Sequence, residues 1–158
     1  MSGFVATDEL ISSDSPENTV RNSGFFPDID LADLRETVRL DGTVSHPRLY
    51  HAAIEAITSA NRDLRDWRIT QQAAGYSALD DVPAETIDGK SEFVYYYLRA
   101  VYSTASANLR ERYRDSDTTA DGHRAADSLE TPIDDLRRDA RWAIRDLLGV
   151  SRSTIELI

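Results

Sequence analysis

The residues best suited to binding a metal lie in one short run near the middle of the second half. From Asp117 to Gly122 the pattern Asp-x-Thr-x-Asp-Gly sets oxygen-bearing side chains at alternating positions before a glycine, as in a calcium loop. Such a loop also needs a bidentate glutamate at its last position, where this sequence has Ser128, and a small apolar residue where it has Arg124. We therefore expect a solvated turn here.

The histidines and the closest carboxylate pair give no better site. His46 and His51 are separated so that on one helix they point roughly 140° apart, which prevents them from sharing a metal ion. His123 is isolated. Asp28 and Asp30 have no base, nucleophile or third ligand nearby, so helix capping is favoured over metal binding. We predict no metal ion and no cofactor.

Patterns typical of catalysis are also missing from the sequence. It contains no glycine-rich phosphate loop and no G-x-S-x-G nucleophile turn. A metal-dependent enzyme built on carboxylate-bearing helices would need a Glu-x-x-His pair, which does not occur either. We therefore do not expect an enzyme.

Composition limits the possible partners. The chain has 158 residues, enough for one domain with extensions, and it has no cysteine. Its formal net charge of -10 repels phosphates and disfavours sequence-specific DNA binding. No apolar run approaches the roughly 20 residues of a membrane span, and the N-terminus is too polar for a signal peptide. The sequence predicts a soluble protein, cytoplasmic when made, with no membrane partner.

The elements that would position any functional residue are helices. The run 91–114 predicts a long central helix, because apolar residues recur on two adjoining faces and imply packing partners on two sides. Small residues at 103–107 would allow a neighbouring helix to approach closely. We predict an all-α fold: a small bundle of three long helices plus one short N-terminal helix.

Cap and stop residues place the other helices. Asp30 predicts the start of the short helix, which we expect to run to about Leu40. Ser45 predicts the start of a second long helix that continues to about Ala74, with Gly75 as its stop. The last long helix begins at Ser128 or Thr131 and ends at Leu148 before Gly149, with Asp134 and Arg138 paired on its polar side.

The remaining segments divide the chain into three parts. Residues 1–24 predict a flexible N-terminal arm, 25–149 the helical domain, and 150–158 a β-prone tail that needs a partner strand. The connection 75–90 is longer than usual between helices and is expected to be functional or to cover another subunit. The apolar residues predicted to form contacts between subunits are Phe25, Phe26, Ile155, Leu157 and Ile158.

Several short segments occur in the order seen in a known family. In the first half these segments are Phe25–Asp30, Arg39–Val44, Ala73–Tyr76, Asp81–Ala84 and Ile87–Gly89, and in the second half they are Arg99–Val101, Glu111–Arg114, Ile133–Asp134 and Arg141–Ala143. From about Phe25 to Ile158 the chain resembles the L-type head completion proteins of Peduovirus-like contractile-tailed phages.

The resemblance implies a structural virion protein without catalytic residues. It would act as a head-tail connector that docks on the portal after DNA packaging, forms a ring, and presents a surface to a tail terminator or neck protein. The expected ring is a dodecamer in the virion neck, assembled in the host cytoplasm. DNA would pass through its channel without sequence-specific binding, and a negatively lined channel would repel the duplex.

One alternative comes from a different class of protein. An acidic helical regulatory or binding module, such as a DNA mimic, would also carry a large negative charge. A mimic should concentrate its carboxylates on one exposed face, whereas arginines and aspartates alternate here along 62–68 and 134–139. This alternation favours ion pairs between helices and weakens the alternative.

Overall fold

The computed structural model describes residues 18–40, 42–116 and 132–152. Five helices make up most of this part: α1 (Leu31–Thr37), α2 (His46–Asp63), α3 (Arg65–Ala73), α4 (Glu92–Ser116) and α5 (Ile133–Leu148). Two antiparallel two-stranded sheets accompany them: β1 (Thr19–Val20) with β2 (Ile29–Asp30), and β3 (Thr86–Ile87) with β4 (Lys90–Ser91). The fold is therefore mostly helical, and the all-α prediction is corrected by these two sheets.

The long helix predicted at 91–114 is confirmed as α4. It makes its most extensive contacts with α5 and then with α2. The second part of the predicted small-residue run is buried, with Ala105, Ser106 and Ala107 each at most 1% exposed, whereas Ser103 and Thr104 are half-buried. Alanines on α2 match this pattern, since Ala52, Ala53 and Ala56 have no exposed surface. Small side chains on both helices allow their backbones to approach closely.

The structure confirms three of the predicted helix boundaries, two of them with the expected cap. The Asp30 carboxylate accepts hydrogen bonds from the backbone N–H groups of Ala32 and Asp33, at 2.7 and 3.1 Å, and so starts α1. Ser45 precedes α2 with a proline in the first turn, although its side chain makes no capping bond. Gly149 ends α5 in the left-handed conformation, with φ of 69°.

The second long helix differs from the prediction because it is broken at Leu64. This residue separates α2 from α3 and has no exposed surface. Leu64 lies in the core, and three residues later the Trp67 ring lies against Phe93, with ring centroids 5.5 Å apart. The sequence has neither glycine nor proline at the break, and the apolar periodicity continues through it. The pattern therefore predicts one helix where the structure has two.

The segment 75–90 is held by contacts within its own chain. Leu79 begins a short 3-10 turn (Leu79–Asp81) and is buried. Its backbone N–H donates a hydrogen bond of 2.8 Å to the carbonyl of Phe25. The hairpin of β3 and β4 turns at Asp88 and Gly89, both with positive φ, as a tight two-residue turn requires. A contact between this segment and another subunit stays a prediction.

The folded part begins before residue 25. Val20 in β1 is 2% exposed and pairs with Ile29, so β1 belongs to the fold although it lies in the segment 1–24 predicted as an arm. At the other end, Val150 and Arg152 are described without strand structure, and the rest of the predicted tail lies outside the described residues.

Candidate functional site

One side of α4 is closed by an aromatic cluster. Phe26 stacks on Tyr97 with ring centroids 4.7 Å apart and an interplanar angle of 6°, and Phe25 meets Phe26 edge-on at 5.1 Å. Phe25 and Phe26 are only 3% and 2% exposed. The structure therefore places both predicted interface residues in the core of a single chain, and an interface built on them would have to expose both rings.

A closed set of hydrogen bonds completes this side. The Tyr97 hydroxyl donates to Asn61 Oδ1 and accepts from Asn22 Nδ2, each at 2.7 Å, and Asn61 Nδ2 donates to Asn22 Oδ1 at 2.9 Å. Asn22 Nδ2 also donates to the Pro27 carbonyl at 2.9 Å. Burial raises the pKa of Tyr97 well above its usual range, so the hydroxyl stays protonated. These bonds join the β1–β2 loop, α2 and α4.

The other side of α4 carries an open groove of about 990 Å³. Its walls come from the end of α1, the β3–β4 hairpin, α4 and one residue of α5. The apolar side chains in the walls are Val38, Leu98 and Leu136, and four cationic side chains surround them: Arg39, Lys90, Arg99 and Arg110. We call this feature the basic groove.

One tyrosine connects the basic groove to α1. The Tyr102 hydroxyl donates to the Asp33 carboxylate at 2.5 Å, which fixes α1 against α4. Burial, and then the hydrogen bond to Asp33, raise the pKa of Tyr102 well above its usual range. Asp33 itself is exposed, in contrast to the half-buried amides around Tyr97.

An exposed apolar patch lies at the hairpin end of the basic groove. Ile87 is 56% exposed, and its carbonyl accepts a hydrogen bond of 3.0 Å from the Tyr95 hydroxyl. The Lys90 ammonium lies 5.5 Å from the centroid of the Tyr95 ring, within the range of a cation–π contact. A second exposed pair, Tyr50 and Ile54, lies one turn apart on α2. Both patches are available for contacts with other proteins.

Ion pairs connect the helices, as the interleaved charges of 134–139 predict, whereas in 62–68 the ion pair formed is between the neighbours Arg62 and Asp63. Arg99 on α4 meets Asp139 on α5 at 3.3 Å. Two further pairs, Arg137 with Glu111 and Arg112 with Glu55, join α5 to α4 and α4 to α2 at 2.6 and 2.7 Å. One predicted pair is wrong in detail, because Arg138 bonds to Asp135 at 2.7 Å instead of Asp134.

The predicted capping role is confirmed for Asp30 but not for Asp28, which contacts a loop residue. Asp30 caps α1, and Asp28 accepts a hydrogen bond of 2.7 Å from the backbone N–H of Asn22. Within 18–40, 42–116 and 132–152, no group of three or more His, Asp or Glu side chains is arranged to hold a metal ion. The run from Asp117 to Gly122 and the residues Ile155, Leu157 and Ile158 lie outside the described residues.

Sequence reasoning missed both the Tyr97 hydrogen bonds and the basic groove. Asn22 lies in the predicted arm and Asn61 on a polar helix position, and nothing local to either residue indicates that they meet. The aromatic cluster at 93–97 was the available signal, because buried tyrosines need hydrogen-bond partners. No helix in the described part of the chain is long and apolar enough to cross a membrane.

The described residues thus define a small, mostly helical protein with an aromatic core, ion pairs between its helices and exposed surfaces suited to protein contacts. The chain belongs to the phage head completion protein (GPL) family, whose model matches residues 20–158. It is 44% identical over 142 residues to the head completion/stabilization protein of Escherichia phage P2, covering 90% of this chain and 84% of that protein. No solved structure matches the chain.

Proposed function

We propose that this chain is a structural virion protein that completes the phage head. It docks on the portal vertex after DNA packaging, forms a ring around the DNA exit, and presents a surface to a tail terminator or neck protein. The family match carries the proposal because it spans residues 20–158, and every described helix lies within that span. The phage P2 protein to which the chain is similar is named for head completion and stabilization.

The described surface supports a ring-forming protein. A ring of identical copies requires two different patches on each copy, one meeting the other on the next copy. The chain offers exposed apolar residues on separate elements: Tyr50 and Ile54 on α2, and Ile87 with Tyr95 at the hairpin. We propose a dodecamer, which would match the symmetry of a portal, with DNA passing through the channel without sequence-specific contact.

The alternative of an acidic DNA mimic has less support from the surface. Glu55, Glu111 and Asp139 are each paired with an arginine from a neighbouring helix, so their charge does not imitate a free row of phosphates. The basic groove also interrupts the acidic surface.

In vitro completion of phage heads tests the proposal. DNA-filled heads made without this protein should lose DNA or fail to accept tails, and adding the purified chain should restore infectious particles. A preparation denatured before addition serves as the control. Restoration of tail joining would support the proposal, and heads that retain DNA and accept tails equally well without the chain would contradict it.

We further propose that the C-terminal tail contacts a neighbouring copy or the portal. The truncation should remove only residues 153–158, because Arg152 pairs with Asp146 and lies 4.9 Å from the centroid of the Trp142 ring. We expect assembly to weaken while the melting temperature changes little. The triple variant Ile155→Asp, Leu157→Asp and Ile158→Asp should have the same effect, and normal assembly of both variants would exclude this role for the tail.

A further inference from the structure

The basic groove is unusual on a chain with net charge -10. Four cationic side chains line it and Asp33 is its one acidic wall residue. Arg39 and Lys90 form no ion pair with any described residue, and Arg99 is paired with Asp139 of α5 at 3.3 Å. This local excess of positive charge favours an acidic occupant.

The backbone at Arg39 indicates that its position matters. Bonds from Arg39 N–H to the Glu36 carbonyl and from Leu40 N–H to the Arg35 carbonyl end α1 in a motif that normally has glycine at the left-handed position. Arg39 holds that position with φ of 54°. A non-glycine residue there costs about 1 kcal/mol, so the fold tolerates strain to set a cation at the edge of the groove.

The shape and lining of the groove favour a peptide. Val38, Leu98 and Leu136 give it apolar walls between the cations, which suits a segment that alternates carboxylates with apolar side chains. A nucleic acid would gain binding energy only from the cations of the groove, and the acidic surface around the groove would repel its phosphates.

Residues 1–17 have this composition. They contain Asp8, Glu9, Asp14 and Glu17 with no lysine, arginine or histidine, and after Met1 their larger apolar side chains fall in two pairs, Phe4 with Val5 and Leu10 with Ile11. The described chain starts at residue 18, and the next residue, Thr19, pairs with Asp30. Asp30 lies three positions before Asp33, which lines the groove. The segment therefore leaves the fold within a few residues' reach of the Asp33 wall of the groove.

Length also permits this segment to cover the groove. Fully extended, 1–17 would reach about 56 Å, whereas α4 from Tyr95 to Arg110 spans only about 22 Å. The C-terminal residues 153–158 carry a single acidic side chain, Glu156, and would reach about 20 Å. They fit the groove less well in charge and in length.

We propose that residues 1–17 dock in the basic groove of their own chain. The carboxylates face Arg39, Lys90 and Arg99, and the apolar pairs lie against the walls. This proposal does not depend on the role in head completion, because it concerns how one chain covers its own surface.

Disulfide trapping in the full-length protein tests the docking. Because the chain has no cysteine, the pair Ser12→Cys and Ser103→Cys introduces one thiol on the segment and one on the groove wall. The control pair joins Ser12→Cys to Thr58→Cys, an exposed position one turn from Asn61, which contacts Asn22 near the start of the fold. We expect the groove pair to form an intrachain disulfide on the order of tenfold faster at low protein concentration.

Charge exchange sharpens the test. The double variant Lys90→Glu with Arg99→Glu should remove most of the rate advantage, and the further changes Asp8→Lys and Glu9→Lys should restore it. Equal rates for the groove and control pairs, or trapping only between chains, would overturn the proposal. Faster trapping of Ser103→Cys by Ser153→Cys than by Ser12→Cys would assign the groove to the C-terminal tail and overturn it as well.

Discussion

The two sides of α4 differ in the hydrogen-bond partners that each gives to a tyrosine. Tyr97 is fully buried, and its hydroxyl bonds to two neutral amides that also bond to each other. Tyr102 lies five residues later at the edge of the basic groove, and its hydroxyl bonds to the exposed carboxylate of Asp33. The Tyr97 side is closed within one chain, whereas the Tyr102 side keeps charge and apolar surface open to a partner.

This difference separates residues that hold the fold from residues that are available for assembly. On the closed side each polar group has a partner inside the chain, so a substitution there should lower the free energy of unfolding. On the open side water can replace a lost partner, so a substitution there should affect binding more than folding.

The largest expected effect comes from the aromatic cluster. Phe26→Ala removes the ring stacked on Tyr97 and should lower the free energy of unfolding by about 3–5 kcal/mol, the usual cost of such a cavity. Ile87→Ala, on the exposed hairpin, should change it by less than about 0.5 kcal/mol. Urea unfolding followed by circular dichroism measures both, and similar losses in the two variants would contradict the distinction between the sides.

Removing single hydroxyl groups compares the two tyrosines directly. Tyr97→Phe leaves the half-buried amides of Asn22 and Asn61 short of a partner and should cost about 1–3 kcal/mol. Tyr102→Phe should cost about 1 kcal/mol or less, because the Asp33 carboxylate can bind water instead. A larger loss for Tyr102→Phe in the same unfolding experiment would reverse the assignment of the closed side.

The smallest expected effect is a loss of stability in alkali. The pKa values of Tyr97 and Tyr102 are raised in the folded protein, while an unfolded tyrosine loses its proton near pH ~10. Above that pH the unfolded state binds fewer protons than the folded state, so stability falls as pH rises. The decline between about pH 10 and 11 should be shallower in the Tyr97→Phe variant than in the unaltered protein, and equal slopes would show that the Tyr97 hydroxyl does not contribute.

Local signals in the sequence predicted the helices well. The long central helix, the Asp30 cap and the Gly149 stop depend on neighbours within a few residues, and all three are confirmed. The break between α2 and α3 at Leu64 and the strand pairing of Val20 with Ile29 depend on contacts between segments of the chain. Helical periodicity carries no information about such contacts.

The candidate surfaces were harder to predict for the same reason. Phe25 and Phe26 are large and apolar next to a proposed arm, which favoured an interface, but their partners Trp67 and Tyr97 come from distant helices and bury them. The cations of the basic groove come from α1, the hairpin and α4, and their convergence exists only in the folded chain.

The most direct test of the proposed function is the mass of the purified chain alone and mixed with its portal protein, measured by light scattering after size exclusion. The proposal predicts that the chain joins the portal in a fixed ratio, as one ring of about twelve copies does on a portal of matching symmetry. A chain that elutes separately from the portal at every ratio would contradict the proposed role as a connector.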